Sequence, residues 1–209
     1  IFLEKRDNMF KLVKVLVMVC CFMAISGLNL SISFAKNPDF NQTLHWDDYI
    51  FKVREDGDRL IIKPKNLAIV NRKEVHDIVG YTVNDVQIAD LNDDGYPEVL
   101  VYLTNDGSGS YGNLIGYSSN NGKSMSQIAL SPIEDMKVLA KYYRGHDYMQ
   151  VKGNVFTRTF PLYLEDDTNA NPTGGICEIQ YKLVDGEACR ILKPVKYTIY
   201  NIVDEKVMK

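Results

Sequence analysis

From about residue 40 onward, short stretches of alternating bulky apolar and polar residues are each stopped by Asp, Asn or Gly. A period of two places every second side chain on one face of an extended chain, so these stretches predict half-buried β-strands. Residues 44–54 alternate and stop at Glu55-Asp56-Gly57-Asp58, and residues 59–63 supply a hairpin partner. Residues 83–89 and 98–103 flank an acidic turn, and residues 113–118 lead to a further turn at Asn120-Asn121-Gly122. Two more hairpins are expected, residues 148–152 with 155–160 around Gly153-Asn154, and residues 176–184 with 188–192 around Asp185-Gly186. Residues 135–142 fit a short helix, and residues 75–79 fit helix or strand equally well. Residues 165–175 crowd Asp, Asn, Pro and Gly together and read as a loop. The pattern predicts a mainly β fold: a single antiparallel β domain, sandwich- or barrel-like, with a protruding Gly/Ser loop. No segment recurs at a fixed period, so a solenoid or propeller is not expected.

The alternation begins only after a different kind of segment. Met9 fits a translation start, with residues 1–8 as an upstream extension. Lys11 and Lys14 then precede an apolar run from Val15 to Ile25. Ser33-Phe34-Ala35 places small residues at the −3 and −1 positions of a signal-peptide cleavage site. The expectation is an exported, periplasmic protein with residues 1–35 as signal peptide and 36–209 as the functional domain. Residues 15–34 carry no charge and are long enough to span a bilayer, so membrane attachment follows only if the signal is left uncleaved. Four of the 24 basic and two of the 27 acidic side chains lie before residue 36, so cleavage moves the net charge from −3 to −5. An acidic domain of this kind disfavours nucleic acid and favours a basic partner. Cys177 and Cys189 are the cysteines left after cleavage. In an oxidising compartment they are candidates for a disulfide, although they sit asymmetrically about the Asp185-Gly186 turn; two free thiols is the other reading.

The most distinctive local chemistry lies in Asp106-Gly107-Ser108-Gly109-Ser110-Tyr111-Gly112, between two apolar strands. Three glycines free the backbone from the usual φ limits, two serines offer hydroxyls, and Tyr111 offers a rigid aromatic anchor. Such a loop suits insertion into another molecule's cleft; an ordinary hairpin loop is the plainer alternative. Gly107, Gly109 and Gly112 match G-x-G-x-x-G, but a dinucleotide loop needs a helix after the glycines, and here a strand is expected. Neither serine is centred in G-x-S-x-G. His45, His76 and His146 lack metal-ligand spacing, and Arg144-Gly145-His146-Asp147 reads as a surface turn. No nucleophile, base and orienting group can be assembled, so an enzyme is not expected.

Asp90-Leu91-Asn92-Asp93-Asp94-Gly95-Tyr96-Pro97-Glu98 places oxygen side chains at relative positions 1, 3, 5 and 9 around a glycine at 6. Asp90, Asn92, Asp94 and Glu98 are therefore candidate calcium ligands, and a turn whose side chains bond their own backbone is the alternative. On residues alone, a calcium-stabilised exported adhesion or carbohydrate-binding domain stands beside a cleft-inserting module.

Several motifs recur in one order: Asp90-Leu91-Asn92-x-Asp94-Gly95-x-Pro97-Glu98, Ser108-Gly109-Ser110-Tyr111-Gly112 and Tyr143-x-Gly145-His146-Asp147. Phe160-Pro161-x-Tyr163, Asp167-x-Asn169-Ala170-x-Pro172-x-Gly174-Gly175 and Gln180-Tyr181-Lys182-Leu183 follow. In this combination the chain resembles the bacterial periplasmic inhibitors of invertebrate-type (i-type) lysozyme, over roughly residues 83–192. The resemblance implies a non-enzymatic inhibitor whose loop enters the lysozyme active-site cleft. Ser108 and Tyr111 would be the principal contacts, with Gly109 and Ser110 shaping the loop. It also implies a homodimer. No cofactor is expected, calcium at the acidic turn apart. Cys177 and Cys189 are not part of that pattern.

Overall fold

The computed structural model describes residues 39–200, so the expected signal peptide lies outside the described residues. Among the described residues, twelve strands form two sheets. The first sheet, in the order β1 to β4, contains β1 (Asn41–Trp46), β2 (Tyr49–Glu55), β3 (Arg59–Lys65) and β4 (Glu74–Asp77). The second begins with β5 (Tyr81–Ala89), β6 (Glu98–Asn105), β7 (Gly112–Ser119) and β8 (Met125–Leu130). It is completed by β9 (Tyr148–Lys152), β10 (Val155–Pro161), β11 (Ile176–Val184) and β12 (Arg190–Tyr200). Its strand order is β5-β6-β7-β8-β12-β11-β10-β9.

Every pairing is antiparallel except that of β8 with β12, which is parallel through Arg190–Leu192. The sheet curls into a nearly closed barrel whose end strands are β5 and β9. A side chain bridges this seam: Gln87 Oε1 accepts from the Val151 amide at 2.6 Å and from the Tyr102 hydroxyl at 3.0 Å.

The expected mainly β domain is thus observed, with two apolar cores. One gathers Leu100, Tyr102, Leu114, Phe156, Phe160 and Ile179 inside the barrel, together with Ile133 and Leu139 from the β8–β9 connection. The other lies where Phe51, Val53, Leu60 and Ile62 of the small sheet meet Val99, Val101, Leu103, Ile115 and Tyr117 of β6 and β7. Strand β6 serves both, which explains why Val99-Leu100-Val101-Tyr102-Leu103 is apolar without alternation.

Some expectations are corrected. Residues 44–54 are two strands, because the chain reverses at Asp47 (φ 46°) and pairs Leu44 with Phe51. The expected helix is reduced to a 3₁₀ turn, Ile133–Asp135, and one α-turn, Lys137–Ala140. The ambiguous residues around 75–79 include β4.

Cys177 and Cys189 are both free. Cys177 pairs with Ile199 and faces the barrel core, whereas Cys189 precedes β12 at the other end of the hairpin. The strand between them is roughly 23 Å long at an extended rise per residue. A disulfide needs Cα atoms within about 7 Å.

Candidate functional site

The Ser108 loop joins β6 to β7 and is closed by local bonds. Asn105 N–H donates to the Tyr111 carbonyl at 2.9 Å, and Ser110 N–H donates to the Gly107 carbonyl at 2.9 Å. The Asn105 side-chain carbonyl accepts from Gly107 N–H at 2.7 Å. The glycines are used differently from the sequence expectation. The left-handed residue is Ser110 (φ 44°), while Gly107, Gly109 and Gly112 stay outside that region. They are small because space is short: a Cβ on Gly109 would strike the Tyr111 ring, and one on Gly112 would strike Asp147 and Met149. Tyr111 lies over Gly109, 46% exposed, with its ring edge-on to Tyr143 at 5.6 Å.

Beneath the loop is a buried polar network. The Asp147 side chain is wholly buried and accepts three bonds: Arg158 Nε at 2.6 Å, the Tyr143 hydroxyl at 2.6 Å and Gly112 N–H at 2.7 Å. Arg158 Nη2 also donates to the Tyr143 hydroxyl at 2.6 Å, and its guanidinium lies over that ring at 5.2 Å. Burial pushes the Tyr143 phenol well above its ordinary range, so it stays protonated and donates to Asp147. Desolvation opposes the charge on Arg158, but the adjacent Asp147 carboxylate outweighs it and holds the guanidinium more firmly protonated. Arg144-Gly145-His146-Asp147, expected as a surface turn, therefore supplies the main internal support of the loop.

The same segment holds the tip. His146 N–H donates to the Gly109 carbonyl at 2.8 Å, and to make that approach the backbone is left-handed at both Gly145 (φ 91°) and His146 (φ 58°). Glycine is required at 145 because a Cβ would collide with the Gly109 carbonyl oxygen.

A second support comes from the β10–β11 connection. Asn169 Nδ2 donates to the Ser108 carbonyl at 2.7 Å, and its Oδ1 lies 3.1 Å from His146 Nε2. Asp167 holds that connection by accepting from the Leu164 amide, the Thr173 amide and the Thr173 hydroxyl, each at 2.7 Å. These bonds, with the Thr173 hydroxyl's first, keep its carboxyl below the usual range. Asp167 thus serves as a local anchor of the β10–β11 connection.

The bonds that His146, Asp147 and Asn169 make to the loop all use its backbone, so Ser108 and Tyr111 stand exposed on a surface already held in shape. The arrangement can donate hydrogen bonds and fill an aromatic subsite. It brings together motifs from residues 108–112, 143–147, 160–163 and 167–175. Sequence reasoning missed Arg158. Its signal was position: Phe156, Arg158 and Phe160 share one face of β10, so a charge stood on an apolar face.

The acidic turn bonds largely to itself. Asp90 accepts from the Asp94 and Gly95 amides at 3.1 and 2.8 Å, and Asp94 accepts from the Tyr96 amide at 2.9 Å. Buried Glu98 accepts from the Leu91 amide and the Ser118 hydroxyl, both at 2.7 Å. Arg190 lies 3.4 Å from Asp94 and 3.8 Å from Glu98. Of the calcium candidates Asp90, Asn92, Asp94 and Glu98, the Asn92 Oδ1 is buried with no partner. Among the described residues no group of three or more His, Cys, Asp or Glu side chains is placed to hold a metal ion. Asp90 and Asp94 thus bond the backbone of their own turn.

Desolvation pushes the Glu98 carboxyl up to about 7 from 4.5, against the Leu91 and Ser118 bonds and Arg190 that favour its charge. The folded chain then binds more protons than the unfolded chain between those values, and Glu98's contribution to stability falls as pH rises through that window. The thermal midpoint should accordingly fall between about pH 5 and 8, less steeply in Glu98→Gln. Equal slopes for the two proteins would exclude Glu98 as the cause.

The other histidines are dispersed. His76 Nε2 lies 2.8 Å from the Tyr117 hydroxyl and helps fasten β4, and His45 lies on β1. Burial lowers the His76 pKa, only partly offset by Glu74. No protein-family model, curated protein or solved structure matches this chain.

Proposed function

We propose that this protein is an exported, non-enzymatic inhibitor of i-type lysozyme that places the loop of Ser108, Gly109, Ser110 and Tyr111 in the lysozyme active-site cleft. The observation that carries this reading is convergence. Residues 143–147 and 167–175, distant motifs of the family resemblance, bond the backbone of the Ser108 loop, on which Ser108 and Tyr111 are exposed. A braced, exposed loop loses little conformational freedom on binding, which favours affinity.

The chemistry of the target is complementary. Glycoside hydrolases carry two carboxylic side chains across the scissile bond. The Ser108 and Tyr111 hydroxyls can donate to a carboxylate, while the Tyr111 ring occupies space otherwise filled by a sugar. A polypeptide offers no glycosidic bond there, so the cleft is blocked without turnover. The acidic domain would speed encounter with a basic lysozyme. The implied homodimer belongs to the same reading and is tested by the mass of the purified protein in solution.

The deciding experiment adds purified residues 36–209 to cell-wall lysis by i-type, goose-type and chicken-type lysozymes. Inhibition of the i-type enzyme, lost in a Ser108→Ala/Tyr111→Ala variant of unchanged thermal midpoint, is expected. No inhibition of any of the three would overturn the proposal.

A further inference from the structure

We propose that the contact surface is a wedge of two turns, in which the turn at residues 168–172 enters the target cleft beside the Ser108 loop and limits which cleft widths the protein can block. This rests on the inhibitory reading above and names the part of the molecule that sets its selectivity.

The argument begins with a distance. Asn169 Nδ2 donates to the Ser108 carbonyl at 2.7 Å, so the two turns touch through a hydrogen bond. No wall of a binding cleft can pass between groups in such contact. A cleft that admits Ser108 must therefore admit the Asn169 turn as well, or be stopped by it.

The second turn is built to stay in place. Thr168 and Asn171 form an isolated antiparallel bridge, with Asn171 N–H donating to the Thr168 carbonyl at 3.1 Å. The Tyr163 hydroxyl donates to the Asn169 carbonyl at 3.2 Å. Arg144 lies over the Tyr163 ring at 5.2 Å and donates to the Asp167 and Leu164 carbonyls at 2.8 and 3.1 Å. The Ser108 carbonyl can only accept, so it takes the Asn169 Nδ2 and turns Oδ1 toward His146 Nε2, which donates to it.

Asn169, Ala170, Asn171 and Pro172 are all exposed on this rigid support. Side-chain amides both donate and accept, which suits a cleft that binds sugar hydroxyls and lines itself with polar groups. Pro172 restricts the chain further, and Ala170 adds little width. A bulky residue at 170 would broaden the wedge without removing any bond described above.

Two measurements test this on the domain of residues 36–209 mixed with i-type lysozyme. In hydrogen–deuterium exchange of the complex, amides 168–171 should gain protection together with amides 107–111. Ala170→Trp should weaken inhibition at least tenfold, while Val75→Trp on β4, also at an exposed position, should leave it unchanged. Protection confined to residues 107–111, or full inhibition by Ala170→Trp, would overturn the two-turn wedge while the inhibitory function stood. A protein that inhibits no lysozyme would overturn both. The exchange measurement uses the wild-type protein, so it decides the matter even if a variant folds poorly.

Discussion

Asp147→Ala should lower the free energy of unfolding by about 3–5 kcal/mol, the cost of leaving a buried charge without its partner. Arg158 keeps only 7% of its side chain exposed, and Asp147 is the carboxylate that compensates it. The substitution also leaves Gly112 N–H without its acceptor and frees the Tyr143 hydroxyl from one of its two partners. Urea unfolding read by tyrosine fluorescence measures the change. A loss below about 1 kcal/mol would mean that Arg158 finds water or another acceptor and that the network is not a buried unit.

A second substitution separates charge from packing. Removing both charges, as in Asp147→Ala/Arg158→Met, should recover part of the loss, because no uncompensated guanidinium then remains inside. The loop should still be looser than in the wild type, since its Gly112 anchor is gone.

The strand pattern was legible where one face of a strand is buried and the other is wet. Strands β9, β10 and β11 follow their predicted spans within a few residues for this reason. Two kinds of place defeated the pattern. Alternation runs unbroken from β1 into β2, so nothing apolar marks the reversal at Asp47. The second half of β12 exposes Val195, Tyr197 and Tyr200 while Lys193 and Lys196 intervene, and its Pro194 faces Tyr181 at a register shift. A strand with so little contrast between its faces carries no period to read. Strand order was also out of reach, because the β8–β12 pairing joins segments about sixty residues apart with no local signature.

The site shows the same division. Ser108, Gly109, Ser110 and Tyr111 were readable because a tight loop between strands depends on local residue types. The supports were not, because each depends on a distant partner. Asp147 follows Gly145 and His146 and reads as a solvated turn until Arg158 and Tyr143 enclose it. Asn169 reads as loop composition until its amide meets Ser108. The glycines misled in one respect: small residues at 107, 109 and 112 suggested unusual φ, and close approach of neighbouring atoms is the actual reason for them.

Tyr111→Ala should cost more than about 2 kcal/mol of binding to i-type lysozyme, a rise of about thirtyfold or more in the inhibition constant. The free protein already holds the ring against Gly109 and Tyr143, so its rotamer freedom is spent before the partner arrives. The exposed remainder of the ring is then available for burial in the cleft, and an aromatic anchor at the centre of a contact typically dominates its energetics. Ser108→Ala should cost less, about 1–3 kcal/mol, because a single hydroxyl donor is lost from a carboxylate. Tyr111→Phe distinguishes the two parts of the tyrosine: it keeps the ring and should retain most of the affinity, losing only what the hydroxyl contributes. None of these three substitutions touches the Asp147 network's hydrogen bonds, so the unfolding free energy should change far less than in Asp147→Ala. Wild-type potency in Tyr111→Ala would remove the ring from the contact and leave the loop backbone and Ser108 to account for inhibition.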